Sequence, residues 1–309
     1  MPSSLDPNAR RRARLNQVGQ PADPRRDVLD WEIDGDVPLN GRDIRCRRSE
    51  PEGASVRSWA LGVLFAIALT SAPASAEPVA VRYAESITQG FLLLRGANDD
   101  VLAYGELVQG PVKGQRMQSR LVFRFKDGSL WDETVTFTQR RVFRLMSYHH
   151  VERGPSFPES IEVTFDRDSG RYRAKVEDKT DDGKVDMPED LHNGMTTSIL
   201  KNLTPGTFAT GHMLVFTPKP YRLDTELRAE GEDKYLVGDV ASTATRYLLK
   251  MELRGLTGVV ASIMGKDPPD IRYWITNGPG HGFVKFEGPM FLKGPRWRVE
   301  LTGPRWPKR

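Results

Sequence analysis

The sequence predicts a mainly β domain, a curved antiparallel sheet or open barrel with one or two short α-helices packed on its concave face. Three observations carry this expectation. Polarity alternates residue by residue through much of the chain, the mark of strands with one buried face. Asp-Gly and Gly-Pro pairs recur between the alternating runs, where glycine bends the chain and proline cannot extend a central ladder. One segment switches to a helical period, and an apolar helix stripe among strands must bury itself against a sheet face.

Taken in order, Met117, Ser119, Leu121, Phe123 and Phe125 point one way while Gln118, Arg120, Arg124 and Lys126 point the other, with Val122 the exception. Asp127-Gly128 supplies a tight turn, and residues 130–137 should return as the partner strand. Residues 159–166 and 171–177 flank Asp168-Ser169-Gly170 as a second hairpin, and Asp182-Gly183 reads as a further turn. Later strands are expected at 212–217, 222–229, 245–254, 271–276, 282–287 and 296–301. Gly-Pro pairs beginning at Gly110, Gly278, Gly288, Gly294 and Gly303 punctuate the chain.

The helical segment is MPEDLHNGMTTSILKNLTPG. Pro188 suits a first helical turn, Glu189 and Asp190 favour the positive end of the dipole, and Leu191, Met195, Ile199 and Leu203 recur every four residues. The spacing predicts an amphipathic helix ended by Thr204-Pro205-Gly206. A shorter helix is predicted over 256–264, with Gly265 as its stop and Pro268-Pro269 beyond.

Ahead of this domain, residues 57–76 have the three parts of a secretory signal: a basic start at Arg57, the apolar run WALGVLFAIAL and the small-residue triplet Ala74-Ser75-Ala76. Cleavage should leave Glu77 as the new N-terminus. The run is too short to span a bilayer, which takes roughly 20 apolar residues. Residues 1–56 are rich in Arg, Asp and Pro, lack lysine and show no sustained apolar period, so disorder is expected there. A signal that begins so far into the chain is explained if translation starts at Val56 from a GTG codon.

Residues 77–309 are read as a single β-rich exported domain. Of 45 Lys and Arg and 41 Asp and Glu, 11 and 10 precede Glu77, which leaves 34 against 31 and a net charge of +3. That balance predicts no nucleic-acid partner, which would call for a strongly basic face. The lone Cys46 lies before the domain, so no disulfide and no lipid anchor at the cleavage point are expected. Mean hydropathy is −0.49 and no second apolar segment of spanning length follows, so no stable membrane span is expected after cleavage.

Candidate chemistry is sparse. His149 and His150 are neighbours on a predicted strand and face opposite ways, so they cannot chelate one metal together. No cofactor or metal is expected, since none of the usual ligand spacings is present and the acidic run 178–190 lacks the pattern of a calcium loop. No nucleophile elbow is present, which favours a non-catalytic role. An enzyme would instead have to bring polar groups such as His192, His212 or Arg144 together in a cleft. In the predicted last strand Trp297, Val299 and Leu301 share one face.

The order of a curved sheet, the proline-led LHNGMTTSILKNL, and the C-terminal strands with GKDPPDIRYWI and GPRWRVEL resembles an uncharacterised family of exported bacterial proteins that carry a domain of unknown function. That fold is similar to the half-barrels of the periplasmic carriers that ferry lipoproteins to the outer membrane. The resemblance covers about Val81 to Trp306. It implies an apolar cavity with Leu191, Met195 and Ile199 as its lid, and Leu203 and Trp297 as further lining. The expected function is therefore a periplasmic or secreted protein that binds a lipid-like ligand or a lipidated protein. The alternatives are a packed interaction module and a hydrolase with an unrecognised site.

Overall fold

Period-two polarity becomes a continuous ladder along most of the chain. The computed structural model describes residues 78–305 except 205, 253–269 and 279; the segments 1–56 and 57–76 and the expected helix over 256–264 lie outside the described residues. A first antiparallel meander runs through β1 (Thr88–Arg95), β2 (Val101–Val112), β3 (Arg116–Phe125), β4 (Leu130–Gln139), β5 (Phe143–Arg153), β6 (Ile161–Asp166), β7 (Arg171–Val176) and β8 (Lys179–Lys184). The helix α1 (Thr196–Asn202) follows. A second meander comprises β9 (Phe208–Phe216), β10 (Pro220–Val237), β11 (Val240–Glu252), β12 (Ile271–Thr276), β13 (Phe283–Gly288) and β14 (Trp297–Leu301), and β15 (Pro304–Arg305) returns to the end of β10.

One ladder joins the two meanders: β14 pairs with β1, Leu301 opposite Leu92 and Val299 opposite Leu94. The result is one antiparallel sheet of fourteen strands in path, β15-β10-β11-β12-β13-β14-β1 and on to β8, with β9 paired to β10 beside it. It does not close into a barrel. It curls nonetheless, because Phe165 on β6 and Tyr172 on β7 reach Phe216 on β9 with ring centroids 6.0 and 5.8 Å apart.

Two apolar clusters make up most of the core among the described residues. The helix-side cluster gathers Val135, Phe137 and Phe165 from one wall, Met195 and Leu200 from the middle, and Leu227 and Leu249 from the opposite wall. The strand-side cluster is aromatic, with Phe125, Phe157, Phe291 and Trp297 in mutual contact at 5.3 to 6.1 Å. Ile271 and Tyr273 touch both clusters. Each fully buried leucine, such as Leu200 or Leu94, contributes roughly 1.5 to 3 kcal/mol.

The expected strands from 116 onward are present, although β10 continues to Val237 instead of ending at 229 and β11 begins at Val240, whereas β1, β2 and β8 were not anticipated. Two expectations are corrected. Asp182-Gly183 is not a turn but part of β8, and the chain reverses at Glu177, whose φ is 51°. The helix does not begin near Pro188. It begins at Thr196, because Gly194 sits at φ 64°, a left-handed conformation that ends any helical run through it. Ahead of that glycine, the His192 N–H donates to the His212 carbonyl at 3.0 Å and the His212 N–H to the Asp190 carbonyl at 3.3 Å, so the lead-in lies along the free edge of β9. The Asn193 carboxamide completes this: its Oδ1 accepts from the Leu214 N–H and its Nδ2 donates to the Leu214 carbonyl, both at 2.8 Å.

The far end of α1 is fastened by the chain's first described residues. Asn202 Oδ1 accepts the N–H groups of Arg82 and Tyr83 at 2.7 and 2.6 Å. Lys201 Nζ lies 3.0 Å from both carboxylate oxygens of Glu85, which Gln109 also contacts at 2.9 Å. Residues 82–85 thus strap the helix end to the sheet.

Candidate functional site

The inward rows of the sheet follow from its register. Leu107, Leu121, Glu133, His150, Val163 and Ala174 stand opposite one another on successive strands β2 to β7. The flanking inward row includes Phe123, Trp131 and Glu152. Glu133, His150 and Glu152 therefore put ionisable groups where apolar side chains are the rule. They form a polar seam between the two apolar clusters.

The seam is built wall to wall. The Tyr148 hydroxyl donates to Glu133 Oε1 at 2.8 Å, and His150 Nε2 lies 3.3 Å from Glu152 Oε1. The rings of Trp131 and His150 are 4.2 Å apart. The helix lead-in rests on this floor: a Cβ on Gly194 would come within 2.4 Å of Val135 and 3.0 Å of Glu133 Oε2, so only glycine fits there. Across the interior, Tyr273 packs against the cluster that holds Met195 and Leu200.

Burial sets the electrostatics. It raises the Glu133 carboxyl above the usual range, while His150 and the Tyr148 hydroxyl act in the opposite direction. Burial and the nearby Glu133 push the Tyr148 and Tyr273 hydroxyls well above their ordinary value, so both stay protonated. Glu133 and Tyr273 are not sealed off but keep part of their surface accessible. Leu107, Leu121 and Ile271 around them do the same.

The residues expected to line a cavity divide between the two clusters. Leu191 and Met195 are 1 % exposed, Leu203 7 % and Ile199 8 %, all in the helix-side cluster. Trp297, 5 % exposed, belongs to the strand-side cluster. The stripe is therefore one surface made of two conformations, extended at Leu191 and helical at Ile199.

The polar groups considered for an enzyme are only partly brought together. His192 is buried, its ring between the hydroxyls of Thr196 at 3.1 Å and Thr225 at 2.8 Å, and burial lowers its pKa to about 4. It is a neutral structural ring. Its neighbour His212 pairs with Asp190 at 2.6 Å and Asp224 at 3.4 Å. Arg144 is elsewhere, paired with Glu189 at the surface. Among the described residues, no group of three or more acidic, histidine or cysteine side chains could hold a metal ion.

Two grooves lie on the outer face. One, of about 640 Å³, runs over the polar rows Gln118, Thr136 and Ser147, and Thr134, His149, Thr164 and Arg173. The other, of about 450 Å³, is walled by the ion pairs of Glu230 with Arg246 and Arg272 and of Glu287 with Arg296.

No family model, curated protein or solved structure matches this chain. Function must therefore be argued from the seam itself. Sequence reasoning missed the seam, although a signal was present: Glu133 falls in phase with Trp131, Val135 and Phe137, an acidic residue on a buried face.

Proposed function

We propose that the chain is an exported, non-catalytic protein of the bacterial cell envelope, periplasmic or secreted, that takes up an apolar or lipid-like ligand between its curled sheet and the inserted helix. One observation carries this reading: the inward face sets the half-buried polar groups Glu133 and Tyr273 among the half-buried apolar side chains Leu107, Leu121 and Ile271. An interior surface of this kind, mostly apolar with a few convergent polar groups, suits a small amphiphile. Export rests on the signal-like residues 57–76. Among the described residues no helix is long and apolar enough to cross a membrane.

The test is a space-filling substitution combined with a neutral fluorescent probe. N-phenyl-1-naphthylamine should bind the purified protein saturably, and Leu121→Phe should weaken that binding at least fivefold while leaving stability within about 1 kcal/mol, since the added volume enters open space. A protein that binds no probe, with Leu121→Phe destabilising by the roughly 1 to 3 kcal/mol of an overpacked core, would sink the proposal.

A second reading is favoured by a different surface. On the outer face of β1 and β2, Phe91, Tyr104 and Val108 are 58 %, 59 % and 48 % exposed. An apolar strip of this sort suits an interaction module.

A further inference from the structure

We propose that the outer strip of β1 and β2 is where a second copy of this chain docks, with the two copies related by a two-fold axis that sets Glu106 of each against Arg124 of the other. This inference rests on the interaction reading of that strip and is independent of the ligand reading.

Outward positions of a sheet that meet water are ordinarily polar, and a contiguous apolar patch there marks a contact surface. The exposed Phe91, Tyr104 and Val108 are neighbours around one residue. Glu106 stands opposite Phe91 on β1 and opposite Val122 on β3, and Tyr104 and Val108 lie two positions to either side of it on β2. Ile87 and Val112 extend the exposed apolar surface toward one end of the strip. Four apolar side chains thus ring a carboxylate.

That carboxylate selects the occupant. Glu106 accepts a hydrogen bond from Gln89 Nε2 at 2.8 Å, and among the described residues it has no ion pair. An apolar partner, or the hydrocarbon of a membrane, would strip its water without supplying a compensating charge. The partner must therefore bring a cation among apolar side chains. Arg124 states the same need with the sign reversed: it is exposed, stands opposite Tyr104, and among the described residues has no ion pair. Its neighbour Arg120 is already taken by both carboxylate oxygens of Asp132, at 2.9 and 2.5 Å.

Glu106, Val122, Arg124 and Tyr104 form the corners of one four-sided figure on β2 and β3, the charges on one diagonal and the apolar side chains on the other. A two-fold axis lying in the face along the Tyr104–Val122 diagonal exchanges the two charged corners. It seats Glu106 of one copy on Arg124 of the other, twice, and brings the two Tyr104 rings together between these pairs. A self-complementary patch of this kind is what an isologous contact requires.

Sedimentation equilibrium of the purified protein should show a monomer–dimer equilibrium with a dissociation constant of about 1 to 100 μM, that of a contact of modest area. Glu106→Arg and Arg124→Glu should each raise that constant at least about tenfold, because each sets like charges face to face, and the doubly reversed chain should return to within about threefold of the wild type. Tyr104→Ser should also weaken association at least about tenfold, and it decides if a reversal fails to fold. A chain that stays monomeric at every concentration would overturn the dimer and leave the strip to other partners. Single reversals that weaken the dimer without recovery in the double variant would overturn the pairing of Glu106 with Arg124. A dimer indifferent to Tyr104→Ser and to both reversals would place the contact elsewhere and remove the interaction reading of the strip as well.

Discussion

The two halves of the interior are filled by different means. The strand-side half is filled mainly from the sheet, with Phe123, Phe125 and Trp297 on inward positions of β3 and β14, and Phe157 and Phe291 added from the adjoining loops. The helix-side half is filled by an inserted segment, residues 190–203, which leaves the sheet path, lies along β9 and then coils for seven residues. The difference teaches where specificity lies. Alternation and volume suffice for the first half, whereas the second depends on directional polar contacts at Asn193, His192 and Asn202 that hold the insert in one place.

The largest expected effect belongs to the strand-built half. Phe123→Ala removes a fully buried ring against which Gly105 packs so closely that no Cβ could intervene. It should cost about 3 to 5 kcal/mol in urea denaturation, with little dependence on pH. A cost below about 1.5 kcal/mol would show that this half is not the rigid partner in the comparison.

The helix-side half should show its character in acid. His192 has a pKa lowered by burial to about 4 against an ordinary 6.5, so the unfolded chain binds its proton first as pH falls. The stability contributed by the neutral ring is complete above about pH 6.5 and is lost progressively down to about pH 4, by roughly 3 kcal/mol at about 1.4 kcal/mol per unit. Amide exchange over 191–202 should accelerate across that window before exchange in β1 to β3 does, and His192→Asn should flatten the dependence. Uniform acceleration over both halves would erase the distinction.

The smallest effect is expected at Asn193→Ala. Losing the two hydrogen bonds to Leu214 leaves a buried N–H and carbonyl on β9 unpaired, at a cost of about 1 to 3 kcal/mol. The variant should also self-associate at concentrations where the wild type does not, because a bared strand edge invites pairing. Sedimentation velocity would detect this, and an unchanged sedimentation profile with unchanged stability would show that the carboxamide does not guard the edge.

This contrast also explains what could be read in the sequence. The β3–β4 hairpin was legible because Met117 to Phe125 alternate, Val122 alone excepted, into Asp127-Gly128, and each inward residue serves one sheet face. The insert was legible as an apolar stripe but not as a conformation. Pro188, Glu189 and Asp190 resemble a helix start, yet the backbone bonds they would begin are taken up by the edge of β9 and cut off at Gly194. That competition is settled by residues some twenty positions away, such as His212, which local period does not register. The seam was hidden for a related reason. Glu133 reads as an ordinary charged strand residue until the register places it opposite His150 and beneath Gly194.

The ladder between β1 and β14 sets the order in which the molecule can assemble. β1 meets β2 almost as soon as both exist, but its other neighbour is made last, so Leu94 waits for Val299. The strap repeats the pattern, since Arg82 and Tyr83 find their acceptor on Asn202, separated by 120 and 119 residues. Non-local closures of this kind slow folding. Truncation before Trp297 would therefore strip the middle of the sheet rather than its margin, leaving two meanders, each with a raw edge.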